Sequence, residues 1–173
     1  MTTLLATAAG ALGALAISFW HRRVADIPSI INGVLAALVA ITAACAFVEP
    51  WAAVVIGFLA GVITYGTSIL RASRVDDPLC AFSVHGVAGI WGTLATGFFA
   101  SPRLVEITGI GQAGLFYGGG FTQLGVQALG VVFAIVIVSV LSYAFLKVLD
   151  LTIGLRITRE DELRGLDVAE HGQ

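Results

Sequence analysis

Charge is what this chain has least of. Of its 173 residues, 12% are charged and 58% are hydrophobic, against roughly 25% charged in an ordinary soluble domain. That scarcity excludes a soluble globular domain. It also excludes nucleic acid as a partner, because no basic cluster is available to bind phosphates. Cysteine is nearly as scarce. Cys45 and Cys80 both stand in apolar runs and read as small core residues, not as a disulfide frame. The three histidines lie at positions 21, 85 and 171, with no cysteine or acid cluster near His85, so metal-ligand spacing is absent. No catalytic constellation or cofactor motif stands out. A positive leader before the first apolar run is missing too. Its basic residues, His21-Arg22-Arg23, come after it, so the start reads as an uncleaved first span and not as a signal peptide.

What is present is apolar length. Five apolar segments, residues 2–20, 30–48, 51–70, 78–100 and 116–149, are separated by short polar breaks. Each reaches the roughly 20 residues that cross the hydrocarbon core as a helix. In lipid the backbone must satisfy its own hydrogen bonds, so helices follow from hydropathy. The expected class is therefore all-α: a polytopic membrane bundle of about five transmembrane helices over residues 1–150, followed by a short tail in water over 151–173. The fifth segment is longer than a bilayer is thick and should tilt or protrude.

The breaks have local causes. Asp77 can cap free amides, and Pro78 suits a first helical position, so the fourth span should start there. Glu49-Pro50 breaks the chain before span three and Ser101-Pro102-Arg103 after span four. The glycine-rich residues 109–123 read as a loop. Gly57 and Gly61 form a GxxxG pair in span three, which allows close helix approach.

The nine Lys and Arg residues are distributed unevenly between the loops. Five spans put Arg22, Arg23, Arg71, Arg74, Lys147, Arg156, Arg159 and Arg164 on one side and Arg103 alone on the other. Basic residues favour the cytoplasm, so the tail is expected inside and the N-terminus outside. An outside N-terminus without a positive leader carries the further expectation of a segment upstream.

The most informative residue is His85, a lone imidazole mid-span. A titratable ring in hydrocarbon is costly and marks a candidate functional site. By helical spacing its face also carries Ala81, Ala88, Gly89, Gly92 and Thr96. One reading is tight helix packing, with the imidazole bonded to a neighbouring carbonyl. The other is a narrow apolar passage with one polar stop. A neutral imidazole offers one donor and one acceptor, enough to bind a small uncharged molecule such as ammonia or water, or to pass a proton.

The segment Val75-Asp76-Asp77-Pro78-Leu79-Cys80-Ala81-Phe82-Ser83-Val84-His85-Gly86-Val87-Ala88-Gly89-Ile90-Trp91-Gly92-Thr93 resembles the tenth span of the ammonium transporter, methylammonium permease and Rhesus glycoprotein family. Asn32-Gly33-Val34-Leu35-Ala36-Ala37-Leu38-Val39-Ala40-Ile41-Thr42 resembles the eighth. Asp150-Leu151-Thr152-Ile153-Gly154-Leu155-Arg156 resembles the end of the eleventh, and Gly165-Leu166-Asp167 with His171-Gly172 the cytoplasmic tail. The resemblance covers spans seven to eleven. It implies ammonium or ammonia transport across the plasma membrane. The fold it implies has two inverted halves crossed obliquely by an eleventh helix, assembled as a homotrimer with one pore per subunit. His85 matches the second of two pore histidines; the first would lie in span five. Ala81 and Thr42 are then candidate pore residues, and Asp77, Gly86 and Gly89 candidate structural ones. Ala43 and Ala46 depart from the proline and glycine common in the family. The resemblance also implies a PII-type regulatory protein at the cytoplasmic tail. The alternative is a truncated, non-transporting chain, or an assembly or regulatory subunit.

Overall fold

The structure, a computed structural model, describes residues 1–72 and 77–172. Of the residues singled out above, Arg74, Val75 and Asp76 lie outside the described residues, as does the side chain of Arg71. The chain is all-α, with no strand among the described residues. The elements are α1 (Thr2–Arg22), α2 (Ile27–Thr42), α3 (Pro50–Ala72), a π-helical turn (Phe82–Val87), α4 (Ala88–Phe99), α5 (Pro102–Thr108), a 3-10 turn (Leu115–Tyr117), α6 (Thr122–Thr152), α7 (Arg159–Arg164) and α8 (Leu166–His171). Contacts divide the chain into two units, Met1–Val131 and Val132–Gln173.

Among the described residues, three helices are long and apolar enough to cross a membrane: α1, Pro50–Leu70 within α3, and α6 with its 31 residues. Helix α2 is shorter, at 16 residues, about 24 Å of rise. It begins three residues earlier than hydropathy alone suggests, because Asp26 opens it and Pro28 occupies its first turn. It stops at Thr42, and turns follow: Ala44 N–H reaches Ile41 O at 3.1 Å and Phe47 N–H reaches Ala44 O at 2.8 Å. The last long helix starts at Thr122 and not at Phe116. Gly118 and Gly120 have φ of 80° and 70°, a left-handed conformation glycine adopts freely and which no helix can contain.

In the first unit, α1, α2 and α3 pack mutually, and their core is made of almost nothing. Ala6, Ala14, Ala36, Ala37, Ala40, Ala53 and Ala60 are all fully buried. A Cβ built on Gly57 would overlap the Ala6 backbone, and one on Gly61 the Gly10 carbonyl oxygen. Both halves of the GxxxG pair thus lie against α1 backbone. Ile41 and Ile56 are buried with the alanines, but many of the larger apolar side chains point the other way: Leu4 is 76% exposed, Trp20 74% and Ile31 55%. No residue in the most apolar stretch of α6 is buried. In lipid no hydrophobic force draws helices together, so close backbone contact through small residues does the holding.

The turn before α3 is tied to the turn after α4. Ser101 N–H donates to Phe47 O at 2.8 Å, and Ser101 Oγ donates to Glu49 Oε1 at 3.0 Å. Ser101 also opens α5, with Pro102 at its first position. The Ser-Pro pair therefore starts a short helix where the sequence suggested only a break. In the second unit, Gly165 with φ 90° separates α7 from α8. Leu166, which follows it, is 53% exposed.

Candidate functional site

The fourth apolar segment does not start as an ordinary helix. Asp77 closes a tight turn: its carbonyl accepts from Cys80 N–H at 3.0 Å. Its carboxylate oxygens accept from Ala81 N–H at 2.8 Å and Phe82 N–H at 3.1 Å. Cys80 has a φ of 54°. Asp77 therefore caps the segment, but Pro78 sits in the turn ahead of it and not in the first helical turn. The expected helix start at 78 moves to 81–82.

Six residues of π-helix, Phe82–Val87, follow. A π-turn bonds i to i+5 and places one extra residue in the turn. Here Ala88 N–H is shared between His85 O and Ser83 O; the bond to Ser83 is the i to i+5 one. This extra residue breaks the face read from regular helical spacing. Ala88, Gly92 and Thr96 are buried, whereas His85 and Ala81 are exposed. The expectation of a buried imidazole sharing one face with Ala88, Gly92 and Thr96 is corrected accordingly. The inward face of α4 packs on α2, and the π-turn points His85 out.

Among the described residues, the imidazole of His85 has no hydrogen-bond partner. Thr42 is also exposed, but its hydroxyl turns back to Leu38 O at 2.7 Å. The structure therefore places Thr42, Ala81 and His85 each on open surface, without a bond joining them. Gly86 and Gly89 have room for a side chain. A Cβ would stand 3.5 Å from the Phe82 ring at the first and 3.8 Å from Val39 at the second. The strict demand for glycine falls instead on Gly92, whose Cβ would overlap the Ala40 backbone. Trp91 ties the same helix to α3, donating from Nε1 to Ile56 O at 3.0 Å. Among the described residues no cluster of three or more His, Cys, Asp or Glu could hold a metal ion.

Sequence reasoning counted His21 only as a loop residue. Its Nδ1 lies 3.0 Å from Tyr65 Oη, joining the end of α1 to α3, and Tyr65 is 5% exposed. The pairing spans 44 positions and has no local pattern that would reveal it.

Small-residue packing, exposed bulky side chains and a lone imidazole on an interrupted helix define a polytopic membrane protein with a polar feature at its open face. The family model for the Ammonium Transporter Family matches residues 1–173. The chain is 42% identical over 173 residues to ammonium transporter Amt2 of Archaeoglobus fulgidus, covering 98% of this chain and 36% of that one. It is 37% identical over 171 residues to ammonium transporter 3 of Dictyostelium discoideum, covering 97% and 40%. Among solved structures it resembles a protein described as a sensor Amt protein, with a TM-score of 0.83 and 36% identity over 98% of this chain and 40% of that one. Saccharomyces cerevisiae Mep2 matches with a TM-score of 0.84 and 30% identity, over 92% and 37%. The chain belongs to the ammonium transporter family and carries part of that fold. It spans about 40% of the length of the relatives it matches. Both of those curated relatives are described as ammonium transporters.

Proposed function

We propose that this chain forms part of a transmembrane pathway for ammonium or ammonia, with His85 as its polar group and Ala81 and Thr42 beside the route. One observation carries the reading: a chain matched along its whole length by the family model spends a π-turn on presenting an unpartnered imidazole at an open face. A neutral imidazole there accepts a hydrogen bond from ammonia at one nitrogen and donates from the other. It can also relay a proton. The face that bears it is open in this chain, and the part of the relatives that this chain does not span would close it.

Further elements belong to the same proposal. The eight-to-one division of basic residues puts the tail, residues 151–173, in the cytoplasm of a cell whose plasma membrane holds the bundle. The complete assembly is a homotrimer, and a PII-type regulatory protein meets its cytoplasmic end near the tail. The alternative, a chain that does not transport but regulates or assembles, rests on the same 40% coverage.

The test is methylammonium uptake in cells lacking ammonium transport. The chain alone is expected to give none. Fused to the complementary portion of the Archaeoglobus fulgidus transporter, it is expected to restore uptake, and His85→Ala in the fusion to lower uptake or change its selectivity. Robust uptake by the chain alone would overturn the need for a complement. A fusion whose uptake and selectivity ignore His85→Ala would remove His85 from the pathway.

A further inference from the structure

Most threonines inside the helices of this protein follow one habit. Thr7, Thr42, Thr67, Thr93, Thr96, Thr108 and Thr152 each donate the hydroxyl to the carbonyl four residues back in their own helix. This is the local bond that a helical threonine finds most easily. Thr64, in the middle of α3 and 1% exposed, does not. Its Oγ1 donates across to Ser83 O at 3.4 Å.

The acceptor is a particular carbonyl. Ser83 O also takes the Ala88 N–H that closes the π-turn. A π-turn is the rarer alternative to regular α-helix, and it persists only where neighbouring groups favour it. The turn packs directly against α3. A second donor delivered to its bridging carbonyl, from an element that is itself fixed in the alanine and glycine core, favours the π register over the α register. The register decides where His85 points. In an unbroken α-helix, His85 would share a face with Ala88, Gly92 and Thr96, which are buried. With the extra residue, it stands on the open face.

We infer that Thr64 is a positioning residue for His85: its hydroxyl holds the π-turn at Ser83 O and so keeps the imidazole on the open face. Thr64 touches no transported molecule and acts only through the turn. The inference rests on the proposed role of His85 for its functional meaning, but not for its structural content.

The experiment reads the histidine directly. The full chain in lipid vesicles is treated with diethyl pyrocarbonate, and acylation of His85 is followed by mass spectrometry against exposed His171 as internal standard. Thr64→Val removes the hydroxyl at nearly constant volume. Losing one neutral hydrogen bond shifts the balance between registers by up to about fivefold. With the two registers close in energy, that shift lowers the share of chains presenting His85. The His85 rate is expected to fall by about two- to threefold relative to His171, and Thr64→Ser to restore it. Thr64→Ala provides a second hydroxyl-free variant with no added bulk and the same expected fall. Equal His85 rates in the wild type and in the hydroxyl-free variants would overturn the inference. So would a serine variant that behaves like valine. Transport by the fusion separates the two claims. Slower labelling in Thr64→Val together with a His85→Ala fusion that transports normally would leave Thr64 as the brace and remove His85 from the pathway. Unchanged labelling would remove Thr64 whatever the transport result.

Discussion

Replacing Gly92 by alanine adds one methyl group where α4 touches α2. The new Cβ would overlap the Ala40 carbonyl oxygen and lie 2.5 Å from Ala40 Cα and 2.6 Å from its carbonyl carbon. Carbon atoms prefer to be about 3.5–4.0 Å apart, so α4 must retreat by about 1 Å. The obstacle is backbone of a fully buried residue, which cannot rotate away as a side chain could. Overpacking of this kind costs about 3 kcal/mol at the upper end of its usual range. Alanine returns about 1 kcal/mol through its better helix propensity. The net loss is about 2 kcal/mol, roughly 30-fold in the folded-to-unfolded ratio. Gly130→Ala in α6 is the control, since nothing lies within 4 Å of a Cβ there. It should be neutral or gain up to about 1 kcal/mol. Both are measured on the purified chain by unfolding in mixed micelles of increasing dodecyl sulfate content, followed by helical circular dichroism. A Gly92→Ala chain that unfolds at the wild-type detergent fraction or above it would refute close backbone contact as the force joining α4 to α2.

Trp91→Phe removes the bond to Ile56 O and should cost about 1 kcal/mol in the same assay; no change would show the indole bond to be incidental. Ser83→Ala removes a buried hydroxyl that has no hydrogen-bond partner, and should leave stability unchanged or raise it by up to about 1 kcal/mol. A clear loss of stability would mean that the hydroxyl has a partner in the membrane. For orientation, Thr108→Cys should react with an impermeant thiol reagent added outside intact cells and Gly172→Cys only after permeabilisation, with Cys45 and Cys80 replaced beforehand. The opposite pattern would reverse the orientation drawn from the basic residues.

Much of the bundle can be read from local sequence, because its forces are local. Gly57 and Gly61 announce a close approach by their spacing, and α1 and α3 make one. Asp77 announces a cap by residue type, and its carboxylate meets two backbone amides. The π-turn could not be read in this way. Phe82-Ser83-Val84-His85-Gly86-Val87 is as apolar and as periodic as an ordinary helix. What favours the extra residue comes partly from Thr64, 19 positions away. The face assigned to His85 from regular spacing therefore rotated with the register. The His21–Tyr65 bond was illegible for a similar reason. The start of α6 was misplaced because Phe116 and Tyr117 extend the apolar run, whereas the glycines after them break the helix. Hydropathy records the first fact and is blind to the second.

The alanine and glycine core inverts the usual map of mutational tolerance. In a soluble domain the interior accepts exchanges among leucine, isoleucine and methionine with some repacking. Here most bulky apolar residues lie on the outer surface of this chain, with Ile41, Val48, Ile56 and Phe99 among the exceptions, and leucine, valine and phenylalanine should be interchangeable along most of α6 in the chain on its own. The interior offers no such freedom. At Gly10, Gly13, Gly33, Gly57, Gly61 and Gly92 the neighbour is largely backbone, so the smallest enlargement meets a wall. A library randomised along this chain should therefore keep its fold when exposed positions of α6 vary in size, and lose it through single added methyl groups at positions that carry no side chain at all.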